Sequence, residues 1–314
     1  MRFRSQQALA GIQTKLAQTK ASYMRVAIAQ ERLALANKRV VLADKTHTTV
    51  KRRINAAKAA EIQHTKADIE VSAAEVEQRK ATKELDIART ELANLMGMST
   101  LESDVSADLT DLSKVPEREV LLGALTDTPL IQLSQLAVMR ESSALGLAKA
   151  NAVADPTFGL GVRRYNEDDG TAFLASVSMP ITLFDRNQGR IAEAKANLVA
   201  AESDQQAQRL NLEREAEGLL QTLISSQEEV MAYQEGLLPS AQKAYRQAGE
   251  GFDRGAFSFL DLLDAQRTLF EVQESHLEAL AVFYDTKAHI DILTGEYAPI
   301  AASAFNTSSN EGKK

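Results

Sequence analysis

Thr157-Phe158-Gly159-Leu160-Gly161-Val162-Arg163 and Phe173-Leu174-Ala175-Ser176-Val177-Ser178-Met179-Pro180-Ile181 form the one segment of this chain with strand character. In the first stretch Phe158, Leu160 and Val162 alternate with Thr157, Gly159, Gly161 and Arg163. In the second, Phe173, Ala175, Val177, Met179 and Ile181 alternate with Leu174, Ser176, Ser178 and Pro180. The polar turn between them, Asn166-Glu167-Asp168-Asp169-Gly170, ends in Asp-Gly, a strong hairpin signal. Two strands of about 9–11 residues, apolar on one side and small or polar on the other, match the pattern of a transmembrane β-hairpin. An ordinary half-buried hairpin fits the same alternation.

Everything around this segment reads as helix. Residues 1–96 hold one glycine, Gly11, and no proline, and Ala, Gln, Lys, Glu and Leu dominate. The first clear stop is Asn94-Leu95-Met96-Gly97, with Gly97 as the residue after the helix end. Residues 98–128 lose the periodicity and read as a connector. Helix resumes at Pro129, a plausible first-turn proline, and runs to Asn151. After the strands it returns from Asn187 to about Leu237, close to 75 Å at about 1.5 Å per residue. A last helix spans Ser258 to Leu293 and stops at Gly295, and Asn306–Lys314 read as a solvated tail. The expected divisions are therefore 1–97, 98–128, 129–295 (with the β-hairpin in 156–184 and a helical hairpin in 187–295) and a tail, 296–314. The fold class is mainly α, long antiparallel coiled-coil hairpins with a small β part.

Composition agrees. Of 314 residues 49 are Ala and only 5% are aromatic, so the apolar content is mostly small side chains suited to close-packed helices. A net charge of −7 argues against a nucleic-acid partner, because phosphate binding needs clustered Lys and Arg. The absence of Cys removes disulfides, thiolate metal sites and Cys nucleophiles. Met1-Arg2-Phe3-Arg4 is not followed by the apolar run of a signal peptide. The longest uncharged run, Gly170–Phe184, has 15 residues and contains Pro180, short of the ~20 apolar residues of a membrane-spanning helix. At face value that points to the cytoplasm.

A repeat with a constant offset of 198 residues changes the reading. It pairs Gly97 with Gly295, Leu95 with Leu293, Ala81 with Ala279, Ala67 with Ala265, Ile62 with Leu260 and Ile54 with Phe252, without a gap. Both halves are a helix, a short break and a second helix ending in Gly. The outgoing helices carry heptad columns: Leu262, Leu269, His276, Phe283 and Ile290, beside Ala265, Val272, Ala279, Thr286 and Leu293. The first-half columns are His64, Val71, Gln78, Leu85 and Leu92, beside Ala67, Ala74, Ala81, Ala88 and Leu95. An alanine column buries little apolar area, so these helices are expected to need partners, most simply other copies of the chain. The first half lacks a counterpart of residues 118–198, as expected either of an unequal duplication or of a chain whose natural N-terminus lies further upstream.

Helix, β-hairpin, long helix, tight break and long helix, duplicated, resembles the TolC-like outer-membrane efflux family. The residues carrying this are Gly251-Phe252-Asp253-Arg254-Gly255-Ala256-Phe257-Ser258-Phe259-Leu260-Asp261-Leu262-Leu263-Asp264-Ala265-Gln266. Asp155-Pro156-Thr157-Phe158-Gly159-Leu160-Gly161-Val162-Arg163-Arg164-Tyr165 and Ser178-Met179-Pro180-Ile181-Thr182-Leu183-Phe184-Asp185-Arg186-Asn187-Gln188-Gly189 look like the cobalt–zinc–cadmium resistance branch. The resemblance implies a homotrimer whose strands close one outer-membrane barrel and whose helices form a periplasmic tunnel. It also implies a periplasmic adaptor (a membrane fusion protein), an inner-membrane RND pump, outer-membrane lipid, and no catalytic residues or cofactors. The implied location of a full-length parent is the outer membrane and periplasm of a Gram-negative bacterium. One hairpin per chain gives three copies half the strands the family uses, and an open sheet in lipid leaves backbone groups unpaired. The chain alone is therefore not expected to form the working channel.

On this resemblance Asp261 and Asp264 match acidic positions that ring the closed periplasmic mouth. They lie three apart, on one helix face. Their plainer role is at a helix N-terminus, where Ser258 and Asp261 read as a capping box. The repeat equivalents, Gln63 and Lys66, are not acidic. Ala57 and Lys58 in the first break, and Gly255, Ala256 and Phe257 in the second, are the expected adaptor-contacting tips, although turn chemistry accounts for them equally. The family prototype has Arg where this chain has Phe257. Phe158, Leu160, Val162, Phe173, Val177 and Met179 are the expected lipid-facing strand residues. Histidines 47, 64, 276 and 289 are read as packing or surface residues rather than ligands, because no Glu/His pair with zinc-site spacing accompanies any of the four.

Two functions of different kind follow. One is a passive exit duct of a tripartite efflux system, exporting heavy-metal cations. The other is a soluble coiled-coil scaffold, or a degenerate fragment of such a duct. The β-hairpin separates them, since a duct needs one apolar face toward lipid. An enzyme is not supported: there is no nucleophile–base set, phosphate loop or metal cluster in the sequence pattern.

Overall fold

A computed structural model describes residues 2–57, 59–110, 112, 114–164, 171–180, 184, 186–297 and 299–300. Lys58, the turn Asn166–Gly170, Ile181 and the tail Asn306–Lys314 lie outside the described residues, as do Tyr165, Thr182, Leu183 and Asp185. The elements run α1 (Arg2–Asn55), α2 (Glu61–Leu95), α3 (Arg118–Ala124), α4 (Pro129–Ala150), β1 (Thr157–Arg164), β2 (Thr171–Ser178), α5 (Gln188–Ala232), α6 (Leu238–Arg254) and α7 (Phe259–Thr294). At 54 residues, α1 extends about 81 Å. The chain divides into two compact units. One holds Pro129–Leu212 with the first seven residues, and the other holds Ala8–Thr128 and Glu213 onward.

The repeat is visible in the backbone. Gly97 and Gly295 both end a helix with positive φ, 71° and 73°. The two tips do the same one repeat apart: Ala57 has φ 52° and Gly255 has φ 77°. An L-residue in the left-handed region is disfavoured by about 1–2 kcal/mol, a cost glycine escapes. Ala57 bears it because its amide donates to the Ile54 carbonyl at 2.8 Å and closes the turn. Ala57→Gly should therefore stabilise the first tip by about 1 kcal/mol. The check is slowed hydrogen exchange of the amides at 54–57 together with a raised urea midpoint.

In the larger unit the heptad columns are buried against helices of the same chain. Ala67, Ala74, Ala81 and Ala88 of α2 are all buried, as are Ala17, Ala36 and Ala43 of α1. The expectation that the alanine seam waits for sister subunits is thus corrected. Alanine at each position lets α1 and α2 approach closely, and one chain suffices to cover the column. What stays uncovered is another stripe of α2: Ile62, Ile69 and Val76, seven residues apart, with Ile87 beyond them, are more than half exposed.

Three apolar clusters hold this unit. Val26, Leu85, Ala88 and Leu92 join α1 to α2, with Leu101 and Val105 of the connector added. Ile28, Val230, Leu277 and Leu280 join α1, α5 and α7. Val50, Ala67, Phe252, Phe259, Leu262 and Leu263 pack α1, α2, α6 and α7 near the tips. Charge pairs flank the α1–α7 contact: Arg25 with Asp285 at 3.0 Å and Arg32 with Glu278 at 2.6 Å. Asp291 is buried between Lys287, one turn earlier, and Lys20 of α1 at 3.6 Å. Partial burial of Lys20 works to lower its pKa. Its hydrogen bond to Tyr297 and the charge of Asp291 outweigh that and raise it.

Two helical features differ from the sequence expectation. Helix does not stop near Leu237; it passes through a π-turn, Tyr233–Leu237, and continues as α6 to Arg254. Pro239 has no N–H for the preceding turn, and widening that turn accommodates it without ending the helix. The aperiodic connector also contains α3 and a short 3-10 turn, Leu125–Asp127. Leu121 and Leu125 of this region are buried. The irregular stretch before it is tied to α1 by paired bonds between Gln30 and Val105, in which the Val105 amide donates to Gln30 at 2.9 Å and Gln30 donates back to its carbonyl at 3.2 Å.

Candidate functional site

Three surfaces carry the residues singled out from the sequence. The first is the hairpin, an antiparallel two-stranded sheet with Phe158 opposite Val177, Leu160 opposite Ala175 and Val162 opposite Phe173. Residues directly opposite one another share a face, so these six form one apolar face. The other face pairs Thr157 with Ser178, Gly159 with Ser176, Gly161 with Leu174 and Arg163 with Ala172. Leu160 is 91% exposed and Phe173 86%, and Phe158, Val162 and Val177 are also exposed. Met179, just past the end of β2, is exposed too. An isolated two-stranded hairpin is marginal in water, and one displaying this apolar face has nothing in its own unit to bury it against. Both outer edges are unpaired among the described residues.

The second surface is the pair of tips in the larger unit. Gly255 ends α6 in the left-handed region, and the amides of Ala256 and Phe257 both donate to the Gly251 carbonyl, at 2.8 and 3.2 Å. Phe257, half-exposed, lies over Gly251 so closely that a Cβ there would come within 2.2 Å of its ring. Glycine at 251 is therefore required by the approach of an aromatic ring, a requirement the sequence pattern did not disclose. Arg53 binds the two tips together. Its guanidinium donates to the Phe252 carbonyl at 2.7 Å and stacks over the Phe252 ring at 4.2 Å. Ala57, Gly255 and Ala256 are exposed.

The third is the acidic pair. Asp261 and Asp264 are both exposed near the start of α7 and line an open groove with Lys66, Ile69 and Glu70 of α2, Leu260, Leu263 and Arg267. Arg267 crosses the groove to pair with Glu70, which is buried. The two aspartates differ in their engagement. Asp261 completes a capping box: the Ser258 amide donates to its carboxylate at 2.7 Å, and its own amide donates to the Ser258 hydroxyl at 3.2 Å. Those hydrogen bonds with Ser258, from side chain and backbone, hold the Asp261 carboxyl below its ordinary value. The equivalent end of the first hairpin has Ala60 and no side-chain cap.

Ser258→Ala should destabilise this end of α7 by about 1 kcal/mol, the usual worth of an N-cap hydroxyl. A pH dependence accompanies it. Because the folded value is depressed, the stabilising effect of Asp261 is full above its unfolded value of about 3.9. It is lost as pH falls through the lower folded value. The protection of the Asp261 and Leu262 amides, as exchange relative to the free-peptide rate at the same pH, should fall below about pH 4 in the native chain. In Ser258→Ala that protection should be low already at neutral pH.

Sequence reasoning missed one convergence. His47 of α1 and His64 and Asp68 of α2 come together near the first tip, with the imidazole rings 4.9 Å apart. The His64–Asp68 spacing of one helical turn was the signal that could have found half of it. His276 sits half-buried in its apolar column, its Nε2 without a partner, and burial lowers its pKa. Among the described residues no helix is long and apolar enough to cross a membrane.

Comparison with known proteins matches this architecture. The sequence profile of the outer membrane efflux protein family matches residues 122–296. The cobalt-zinc-cadmium resistance protein CzcC of Cupriavidus metallidurans is 32% identical over 293 residues, covering 93% of this chain and 70% of that protein. Among solved structures, CusC superposes with a TM-score of 0.78 at 18% identity, over 94% of this chain and 70% of the other. The open-state MtrE outer membrane channel of Neisseria gonorrhoeae gives 0.75 at 19% identity, over 91% and 67%. Those structural likenesses establish the fold, with its long helices and small sheet, and the sequence matches establish kinship with efflux proteins rather than enzymes. The chain belongs to the outer membrane efflux protein family.

Proposed function

We propose that this chain belongs to the exit-duct subunit of a tripartite efflux system of the RND type that exports heavy-metal cations. The observation that carries the duct reading is the hairpin: an exposed face of Phe158, Leu160, Val162, Phe173, Ala175 and Val177, uncovered among the described residues and backed by a face that is small or polar apart from Leu174. Lipid on one side and water on the other is the environment such a hairpin matches. Its unpaired edges require neighbouring strands, because a bilayer does not tolerate an open sheet. The exposed α2 stripe, Ile62, Ile69 and Val76, supports assembly with sister copies, here as a homotrimer. The location is the outer membrane and periplasm of a Gram-negative cell. The cargo rests on similarity to a cobalt-zinc-cadmium resistance protein.

Within that assembly Ala57, Gly255, Ala256 and Phe257 are the surface offered to a periplasmic adaptor, and Lys58, next in sequence to Ala57, is assigned to it with them. Asp261 and Asp264 from each subunit ring a constriction that attracts cations. Functional divisions at 97 and 295 follow the repeat, and the one at 128 follows the end of the connector. No part of this requires a cofactor, a resident catalytic group or nucleic acid; the driving energy comes from the inner-membrane pump.

Deleting the coding region in the source cell tests the reading. Retained cobalt, zinc or cadmium should rise several-fold under metal challenge, and the protein should fractionate with the outer membrane. Unchanged metal content, or recovery in the soluble fraction, would contradict it.

A further inference from the structure

His47, His64 and Asp68 are drawn from two helices, α1 and α2, and each offers one ligand atom within 4.8 Å of the others. Asp68 lies between the imidazoles, one carboxylate oxygen 3.0 Å from His47 Nε2 and the other 2.8 Å from His64 Nδ1. His47 Nε2 is buried and makes no hydrogen bond in spite of that 3.0 Å approach. A ring nitrogen so close to a carboxylate, yet not aligned to donate to it, is a lone-pair donor facing an anion. A cation between them reconciles that contact.

The fold does not require these residues. One repeat further along, the same positions are Tyr245, Leu262 and Gln266, and Leu262 and Gln266 are buried in the second hairpin. The hairpin packing is thus satisfied by an uncharged set, a phenol, an isobutyl and an amide side chain, at positions where the first hairpin places two imidazoles and a carboxylate. His64 and Asp68 stand one turn apart on one face of α2, the spacing that lets two side chains ligate one ion. His47 reaches them from α1, about 12 Å of helix before Asn55.

The geometry points to a divalent-cation site formed by His47, His64 and Asp68 that clasps α1 to α2 beside the first tip. Two nitrogens and one carboxylate select borderline ions such as Zn²⁺, Co²⁺ or Ni²⁺ over Mg²⁺ and Ca²⁺, which prefer all-oxygen shells. Asp68 is about half exposed, so water completes the coordination. The site stands apart from the efflux reading, since a duct needs no resident ion. Its failure leaves the duct reading intact, and unchanged cell metal content leaves the site intact.

The test uses the full chain in detergent, stripped of metal, titrated with Zn²⁺ alone against a chromophoric chelator, and separately with Co²⁺ alone. One equivalent should bind, and bound Co²⁺ should show ligand-field bands without sulfur charge transfer, the chain having no Cys. His47→Gln, His64→Gln and Asp68→Asn should each weaken Zn²⁺ binding at least tenfold, with helical content by circular dichroism unchanged. Removing a direct ligand should cost no less than the ~10–100-fold seen for outer partners. His276→Gln and His289→Gln should bind as the native chain does. In the native chain Zn²⁺ should also slow amide exchange across residues 50–64. No stoichiometric ion, or binding untouched by all three variants, overturns the site.

Discussion

Phe283→Ala is expected to lower the stability of the larger unit by about 3–5 kcal/mol, the range for truncating a fully buried aromatic ring. Phe283 is 0% exposed and lies in the column of α7 that runs through Leu262, Leu269 and Ile290. Closely packed helices cannot move far enough to fill the space a phenyl ring leaves, so much of the cavity persists and the cost sits high in the range. Against a typical net stability of about 5–15 kcal/mol this is a large fraction. Urea unfolding followed by helicity should show a much lower midpoint. The informative control is Phe173→Ala. That ring is 86% exposed on the hairpin, and its loss should change stability in detergent by less than about 1 kcal/mol. Equal effects at the two positions would mean that the hairpin, too, is packed against protein.

The second large effect is expected from Leu160→Arg. Leu160 stands in the middle of the apolar face, opposite Ala175 and between the Phe158–Val177 and Val162–Phe173 pairs. In water a charge there relieves an exposed apolar patch, so folding of the chain in solution should be unaffected. In a bilayer an arginine on the lipid face costs about 2–4 kcal/mol near the midplane. Multiplied over three copies that is enough to empty the membrane fraction. Gly161→Arg, one residue on and on the opposite face, should leave membrane recovery near native. The contrast between neighbours separates lipid exposure from a general intolerance of charge in the hairpin.

Much of this was legible in the residues themselves. Strand alternation fixes a register as well as an element, because a slip of one residue would put Phe158, Leu160 and Val162 on the small-residue face. Glycines at 97 and 295 mark helix ends one repeat apart, and Ser258 with Asp261 announces the cap that is found. Features set by tertiary contact were not legible. The continuation of the helix past Leu237 was missed because Gly236 and Pro239 carry a local stop signal, whereas a single widened turn accommodates the proline. The alanine seam was assigned to sister subunits because an isolated helix cannot show which neighbour covers it. His47 meets His64 and Asp68 only because a hairpin folds between them, and spacing along one helix discloses no more than the His64–Asp68 half.

The lipid-facing assignment of the hairpin can be measured directly, since a chain without cysteine accepts single-cysteine labels with no background. Labels placed in turn from 158 to 162 and from 173 to 177, in the membrane-assembled protein, are read by quenching from brominated lipid. The expected result is strong quenching at 158, 160, 162, 173, 175 and 177 and weak quenching at 159, 161, 174 and 176. Quenching that is absent throughout, or equal on the two faces, would contradict a lipid-facing hairpin and with it the duct.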